Sequence, residues 1–366
     1  MKAVAFAGQG KIELRDVAEP EVGPGEVMVD VAYCGVCGSD LHEYASQTPS
    51  LRAAGMFQPV MGHEFTGTVS ALGDDVNGTS IGDPVVVHPG GPCGNCYFCQ
   101  SGATNLCAEQ IGTGYRKQGA YAERVVVRCD QALRLPDASW LERAALTEPL
   151  GVALHSLSRG VLQAGETVFI AGGGPIGLLT VLAAKQKGAG RIIVSEPTES
   201  RRELALRIGA DEAVDPAKVA SVQVRELTSG LGCDLAVECV GIAATMDDCL
   251  TSTRRGGRIV VAGAFEQPYT VNLLNLLLQE HSIAGTFGYA SEFEEARDLI
   301  ASGAVDVSPL ISRVVPLHEL PSVFDQLTAD RGQDQKVLVR PNGWGLRYRV
   351  TSEVEGHLVP LVLRHS

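Results

Sequence analysis

Cys93, Cys96, Cys99 and Cys107 lie together in the run CGNCYFCQSGATNLC, spaced C-x2-C-x2-C-x7-C. Four thiols in so short a loop can close around one tetrahedral ion, and zinc takes four thiolates at about 2.3 Å in closed structural sites. An iron–sulfur cluster is the rival reading, because it also uses four thiolates. A disulfide framework is the bland one and belongs to oxidising compartments. The spacing favours a metal and leaves open which metal. A second set of donors is scattered along the chain: Cys37 in CGVCGSDLH, His63 and Glu64 in GHE, and Glu148 at the start of EPLGVALHS. A thiolate, an imidazole and carboxylates from separated segments suit zinc with a position kept for water or substrate. Taken singly, Cys37 reads as a small core residue and His63 as a hydrogen-bonded structural histidine.

A third constellation is Gly172, Gly174 and Gly177, a G-x-G-x-x-G that follows the apolar run TVFIA and opens the helical pattern PIGLLTVLAAKQK. That context is what the motif requires of a dinucleotide site. The first glycine permits a tight turn, the second lets backbone approach a pyrophosphate, and the third lets helix and strand pack closely. Pro175 and Ile176 begin the helix, whose free N–H groups face the phosphates. Glu196 lies nineteen residues past Gly177, at the end of the next strand-like run. A carboxylate there accepts hydrogen bonds from ribose hydroxyls and repels a 2′-phosphate, which favours NAD over NADP. Arg201, with Arg202 beside it, works against that discrimination. The alternative is a nucleotide-free strand–turn–helix.

The elements that must hold these residues fall into two patterns. The first 150 residues are rich in short β-branched runs bounded by glycine and proline, such as VMVDVAY (27–33), IGDPVVVHP (81–89) and YAERVVV (121–127). From about residue 165 strands and helices alternate: TVFIA, then RIIVSE (191–196), SRRELALRIGA, DLAVECVG (234–241) and GRIVVAGAF (257–265). That alternation predicts an α/β domain with a doubly wound parallel sheet. FEEARDLIASGAV reads as a later helix and QKVLVRP (335–341) as a last strand. The final stretch, 343–366, matches no pattern.

The chain has 366 residues, long enough for two domains. Its formal net charge of −13, with no basic stripe, argues against a nucleic-acid partner. No run of 18 apolar residues predicts a membrane span, and the N-terminus does not read as a signal peptide. Ten cysteines without such a signal suggest a reducing compartment, hence a cytoplasmic location. Cys129, Cys233, Cys239 and Cys249 read as core or surface thiols.

CGVCGSDLHEY, GHEFTG, the four-cysteine loop, EPLGVALHS and AGGGPIG occur in the order found in zinc-dependent medium-chain alcohol dehydrogenases. The chain resembles that family over about residues 1–342, and within it the polyol, threonine and 2,3-butanediol branch, where carboxylates stand at Glu64 and Glu148. The resemblance implies a mostly-β, GroES-like catalytic domain split between residues 1–150 and 288–342. It implies a Rossmann NAD-binding domain at 151–287 and leaves 343–366 as a tail of unassigned role. It also implies two zinc ions per chain, one catalytic, held by Cys37, His63 and Glu64 with Glu148 as an exchangeable fourth ligand. The other would be structural, on Cys93, Cys96, Cys99 and Cys107. Because the resemblance uses only the second cysteine of Cys34-x-x-Cys37, we read Cys34 as a packing residue. Family members form homodimers or homotetramers.

The chemistry expected is reversible oxidation of a secondary alcohol, with hydride passing to the nicotinamide and zinc lowering the hydroxyl's pKa. Ser39, two residues past Cys37, is placed to take the proton, and His42, with a pKa near neutrality, to pass it to solvent. Otherwise the two merely begin a helix at the surface. A vicinal diol such as 2,3-butanediol is the leading small-molecule substrate, with sorbitol-like polyols, cyclitols and threonine as alternatives. The readings from other classes are a catalytically silent nucleotide-binding protein and a zinc-free reductase of activated double bonds.

Overall fold

The computed structural model describes residues 1–45, 60–329 and 334–342, so the tail at 343–366 lies outside the described residues. Two large sheets organise the chain. The first has the strand order Ile311–Pro316, Lys336–Arg340, Glu26–Gly35, Glu64–Leu72, Pro84–Val87, Ala132–Arg134, and Arg124–Arg128 also pairs with Glu26–Gly35. Apart from the parallel pairing of Ile311–Pro316 with Lys336–Arg340, its strands run antiparallel. The ten-residue strand Glu26–Gly35 is the organiser, and burial on both faces of EVMVDVAYCG explains its apolar run. Lys336–Arg340, near the other end of the described chain, pairs with it through Leu338 opposite Gly35 and Val339 opposite Cys34.

The second sheet is the predicted parallel one. Its order is Glu212–Val214, Arg191–Ser195, Thr167–Ala171, Cys233–Glu238, Thr253–Val261, Ser282–Gly285. Numbered within this sheet, that is 3-2-1-4-5-6, the doubly wound order, with its switch point between Thr167–Ala171 and Cys233–Glu238. Val168, Phe169, Ile170, Leu235, Ala236 and Val237 are fully buried, as helices on both faces demand. The helix Pro175–Gln186 is apolar all round and buries Gly177 through Ala184 between the sheet and its neighbours. The strands start and end within a few residues of the runs read from the sequence.

Candidate active site and metal centres

The four-cysteine loop folds into one short helix, Tyr97–Gln100, and a single turn, Thr104–Leu106, that bring the thiols together. One sulfur from each lies within 4.8 Å of the others. The Cys96–Cys99 and Cys93–Cys99 separations are 3.5 and 3.9 Å. A tetrahedron with metal–sulfur bonds of about 2.3 Å requires sulfurs about 3.8 Å apart. A disulfide would bring two of them to about 2 Å, and a multi-iron cluster has no room among sulfurs this close. Backbone N–H groups of Asn95 and Cys96 draw the Cys93 thiol down to about 7, while burial and the neighbouring thiols push Cys99 up to about 12. The donor set fits a single ion.

Strand register assembles the second site. Gly35 stands opposite Glu64, so the end of one strand, continuing into Cys37, meets His63 and Glu64 where the next begins. A side chain at Gly35 would overlap the Glu64 carboxylate, its Cβ only 2.1 Å from Oε2. Cys37, His63 and Glu64 each offer a donor atom within 4.8 Å of the others, and both His63 and Glu64 are buried. This thiolate, imidazole and carboxylate fit zinc.

Two partners of these donors were not singled out in the sequence. Asp40, itself buried, lies 3.5 Å from His63 Nδ1 through Oδ1, while Oδ2 accepts from Tyr121 (2.6 Å) and from Cys37 N–H (3.2 Å). At 3.5 Å this is a charge contact rather than a hydrogen bond, and it puts the carboxylate where the outer partner of a ligating histidine belongs. Burial opposes protonation of His63, but Asp40 and Cys37 outweigh it and raise its pKa in the metal-free chain. Lys336 donates to both Glu64 oxygens, at 2.8 and 2.7 Å, and to Val36 O at 3.1 Å. A carboxylate has about four lone-pair sites, so this pairing still leaves Glu64 capacity for a metal. Lys336 reaches Glu64 because its strand pairs beside Gly35, across 272 residues of sequence. A lone lysine in QKVLVRP carries no signal of this; only the pairing reveals it.

Glu148 stands in the first turn of the helix Thr147–Arg159 and faces the same site. Burial pushes its carboxyl up to about 7, with His63 and Lys336 pulling the other way and Glu64 adding to the rise. It faces the Tyr289 phenol. The Tyr115 ring lies over His63 with centroids 4.5 Å apart, and burial together with Cys37, Glu148 and Asp40 raises its pKa. The sequence reading gave neither tyrosine a role. Ser39 and His42 both belong to the helix Gly38–Ala45. The Ser39 hydroxyl is buried and faces the Tyr115 phenol. His42 is partly exposed and holds Glu266 Oε1 through Nδ1 at 3.0 Å. Cys34 is fully buried away from solvent, next to Gly62, and burial raises its thiol.

At the switch point, Gly172 has φ +109°, a backbone open to glycine, and a Cβ on Gly177 would sit 1.9 Å from Gly172 O. A Cβ on Gly174 would meet nothing within 4 Å. The approach to the N-terminus of the helix begun by Pro175 and Ile176 is therefore clear, as a dinucleotide phosphate requires. Glu196 is buried beside this turn, its two oxygens accepting from Gly173 N–H (2.8 Å) and Thr198 N–H (2.9 Å). Arg201 extends to Asp334 O at 3.4 Å, and Arg202 folds back onto the carbonyls of Glu196 and Pro197. The residues fit a dinucleotide.

Two family models match the chain: the alcohol dehydrogenase GroES-like domain over residues 23–137 and the zinc-binding dehydrogenase over residues 175–302. A sorbitol dehydrogenase of Bacillus subtilis is 33% identical over 346 residues, covering 93% of this chain and 98% of the relative. An (R,R)-butanediol dehydrogenase of Neisseria gonorrhoeae is 32% identical over 355 residues, covering 93% of this chain and all of the relative. Among solved structures, a dehydrogenase of Sinorhizobium meliloti bound to NADP superposes with a TM-score of 0.84 at 34% identity, covering 93% of this chain and 99% of the other.

Proposed function

The chain belongs to the zinc-dependent medium-chain alcohol dehydrogenase family, in its polyol and butanediol branch, and on that premise we propose that it oxidises a vicinal diol of the 2,3-butanediol kind to the hydroxyketone, reversibly and with NAD. The observation that carries this reading is the composition of the site. Around Cys37, His63 and Glu64 stand a further carboxylate, Glu148, and two phenols, Tyr115 and Tyr289. These groups can hydrogen-bond the second hydroxyl of a diol, which an apolar pocket for a simple alcohol cannot. Relatives named for sorbitol and butanediol support the class. Sorbitol-like polyols, cyclitols and threonine are the substrates next in line.

Cys37, His63, Glu64 and Glu148 would hold the catalytic zinc, and the four cysteines the structural one. Bound zinc supplies Lewis-acid lowering of a hydroxyl's pKa, and bound NAD supplies the hydride acceptor. Ser39 takes the substrate proton through its buried hydroxyl. His42 passes that proton outward: with Nδ1 held by Glu266, Nε2 is the nitrogen that accepts it. Asp40 keeps the His63 ring oriented, and Lys336 offsets the charge that Glu64 adds to the site. Glu196 favours NAD because a carboxylate at this position of the motif would repel a 2′-phosphate. The NADP-bound neighbour makes this the point to test first.

We assign residues 1–150 and 288–342 to the catalytic domain and 151–287 to the cofactor domain. The ten unpaired cysteines support a reducing, cytoplasmic setting, and no helix among the described residues is long and apolar enough to cross a membrane. A homodimer or homotetramer is supported by Leu273, Leu274, Leu277, Leu278 and Phe287, each 59–71% exposed beside the edge strand Ser282–Gly285.

The test follows reduced-cofactor absorbance with NAD and NADP on 2,3-butanediol stereoisomers, sorbitol, myo-inositol, threonine and ethanol, with and without chelator. Chelator-sensitive NAD reduction by one diol is the expected result. A preference for a polyol or threonine replaces the substrate, and equal use of NADP overturns the role given to Glu196. A chain that binds NAD and zinc but oxidises nothing would be the silent nucleotide-binding protein.

A further inference from the structure

Asn105 lies inside the four-cysteine loop, two residues before Cys107, yet its side chain turns away from the thiols. Its Nδ2 donates to Phe287 O at 2.8 Å and lies 3.4 Å from His155 Nε2. Gln110 Nε2 donates to the Asn105 carbonyl at 2.9 Å and to that of Thr104 at 3.2 Å, fastening Asn105 to the lobe. On the far side of the imidazole, His155 Nδ1 is 3.1 Å from Glu292 Oε1. The other oxygen of Glu292 accepts the Ala290 N–H at 2.9 Å. Asn105, His155 and Glu292 are each 8% exposed.

This chain of polar groups has one geometric result. It holds the carbonyl of Phe287 from one side and the N–H of Ala290 from the other, and between them stands Tyr289, whose buried phenol faces Glu148. Glu148 and His155 sit seven residues apart on the helix Thr147–Arg159, two turns along one face. Gly151, between them, gives the Tyr289 ring room, since a Cβ there would come within 3.2 Å of it. His88 and Phe293 pack their rings against Tyr289 at 5.1 and 5.2 Å. Burying three polar side chains is costly unless they are paired; here Asn105 hydrogen-bonds Phe287 O, and His155 Nδ1 meets Glu292 as a close charge contact rather than an aligned hydrogen bond.

We propose that the Asn105–His155–Glu292 bridge couples the four-cysteine lobe to the reactive site, holding the segment Phe287–Ala290 so that Tyr289 fixes the orientation of Glu148. The three are positioning residues, and metal in the lobe supports a site that it does not touch. The inference rests on the reading of Glu148 as part of that site.

The test uses the full-length, zinc-loaded chain and four variants: Asn105→Ala, Glu292→Gln, Tyr289→Phe and the pair Asn105→Ala with Tyr289→Phe. One readout is hydrogen exchange in peptides spanning 286–292. The other is kcat and KM for NAD-linked oxidation of 2,3-butanediol. Asn105→Ala and Glu292→Gln are expected to speed exchange there about tenfold and to lower kcat by about ten- to a hundredfold, the range for outer partners of a metal site, with KM less affected. The pair is expected to be no slower than Tyr289→Phe alone, because both changes act through one phenol. Glu292→Gln lies outside the lobe and keeps the test decisive if Asn105→Ala disrupts the loop. Unchanged exchange in both variants, or losses that simply add, overturns the bridge. If 2,3-butanediol is not turned over, the substrate reading fails by itself, while the exchange readout still decides the bridge. Stripping lobe zinc with limiting chelator, followed by metal analysis, is expected to speed exchange of the same peptides, and unchanged exchange after that loss refutes the coupling.

Discussion

Glu64 and Lys336 form a buried charge pair from opposite ends of the described chain, and its energetics follow from what each loses without the other. Truncating one member of such a pair leaves a charge in a low-dielectric interior and costs about 3–5 kcal/mol. Lys336→Met is therefore expected to lower the unfolding free energy by an amount of that order, and Lys336→Met with Glu64→Gln to recover part of it. Urea unfolding of the parent chain and the two variants checks both. The relay makes a kinetic prediction: His42→Ala slows turnover more near neutral pH than in alkali, where hydroxide takes the proton instead. A loss of equal size at every pH would remove His42 from the path. His88 makes a thermodynamic one. Burial pushes its pKa down to about 4, below the unfolded value of about 6.5. The unfolded chain then binds the proton first, so this contribution is full above about pH 6.5 and fades as pH falls towards 4, on the order of 3 kcal/mol. His88→Asn is expected to shrink the fall in urea midpoint between pH 7 and pH 4.5. Cys37, His63, Glu64 and Glu148, which the structure brings to one place, could be proposed from sequence because their motifs are dense. Asp40 lies inside such a motif and was overlooked, although a carboxylate near a candidate ligand is a readable signal. Tyr115, Tyr289 and Lys336 had no such signal, because what brings them to the site is packing.

At the scale of elements, the glycine turn separates two demands that one motif meets together. Gly177 serves packing, since any Cβ there runs into Gly172 O at 1.9 Å, whereas Gly174 faces open space. Gly177→Ala is expected to destabilise the cofactor domain by roughly 1–3 kcal/mol, the range for overpacking. Gly174→Ala is expected to leave the unfolding midpoint within error and to weaken NAD binding about tenfold or more, because its methyl enters the phosphate's space. Calorimetric unfolding and NAD titration distinguish the two, and equal destabilisation by both would undo the division. The strands of the parallel sheet were legible because runs buried on both faces, such as TVFIA, are continuously apolar. Their ends were less so: GRIVVAGAF begins a strand in the sequence reading at residue 257, while the structure starts it at Thr253. TRRG has no apolar pattern and becomes a strand only because Cys233 is its neighbour.

For the whole molecule, two statements can be weighed or counted. Metal analysis is expected to give two zinc ions per chain, and one would dismiss either the Cys37 centre or the four-cysteine centre. Sedimentation is expected to show an oligomer that Leu277→Glu converts to monomer, because a charge in the centre of the exposed leucine face cannot be buried unpaired. A monomeric parent chain would leave those leucines without the role given to them.

The sequence by itself determined what is encoded locally: the four-thiol loop, the glycine turn before its helix, the alternation of strand and helix, and a set of donor types suited to zinc. Each rests on spacing within a few residues, where chain geometry leaves little freedom. Only the tertiary structure decided which distant groups meet. The opposition of Gly35 to Glu64 and to Leu338 brings Cys37, His63, Glu64 and Lys336 to one point, and the fold of the lobe carries Asn105 to His155. Such meetings are set by strand register and packing, which sum over many weak contacts and leave no mark on any single residue.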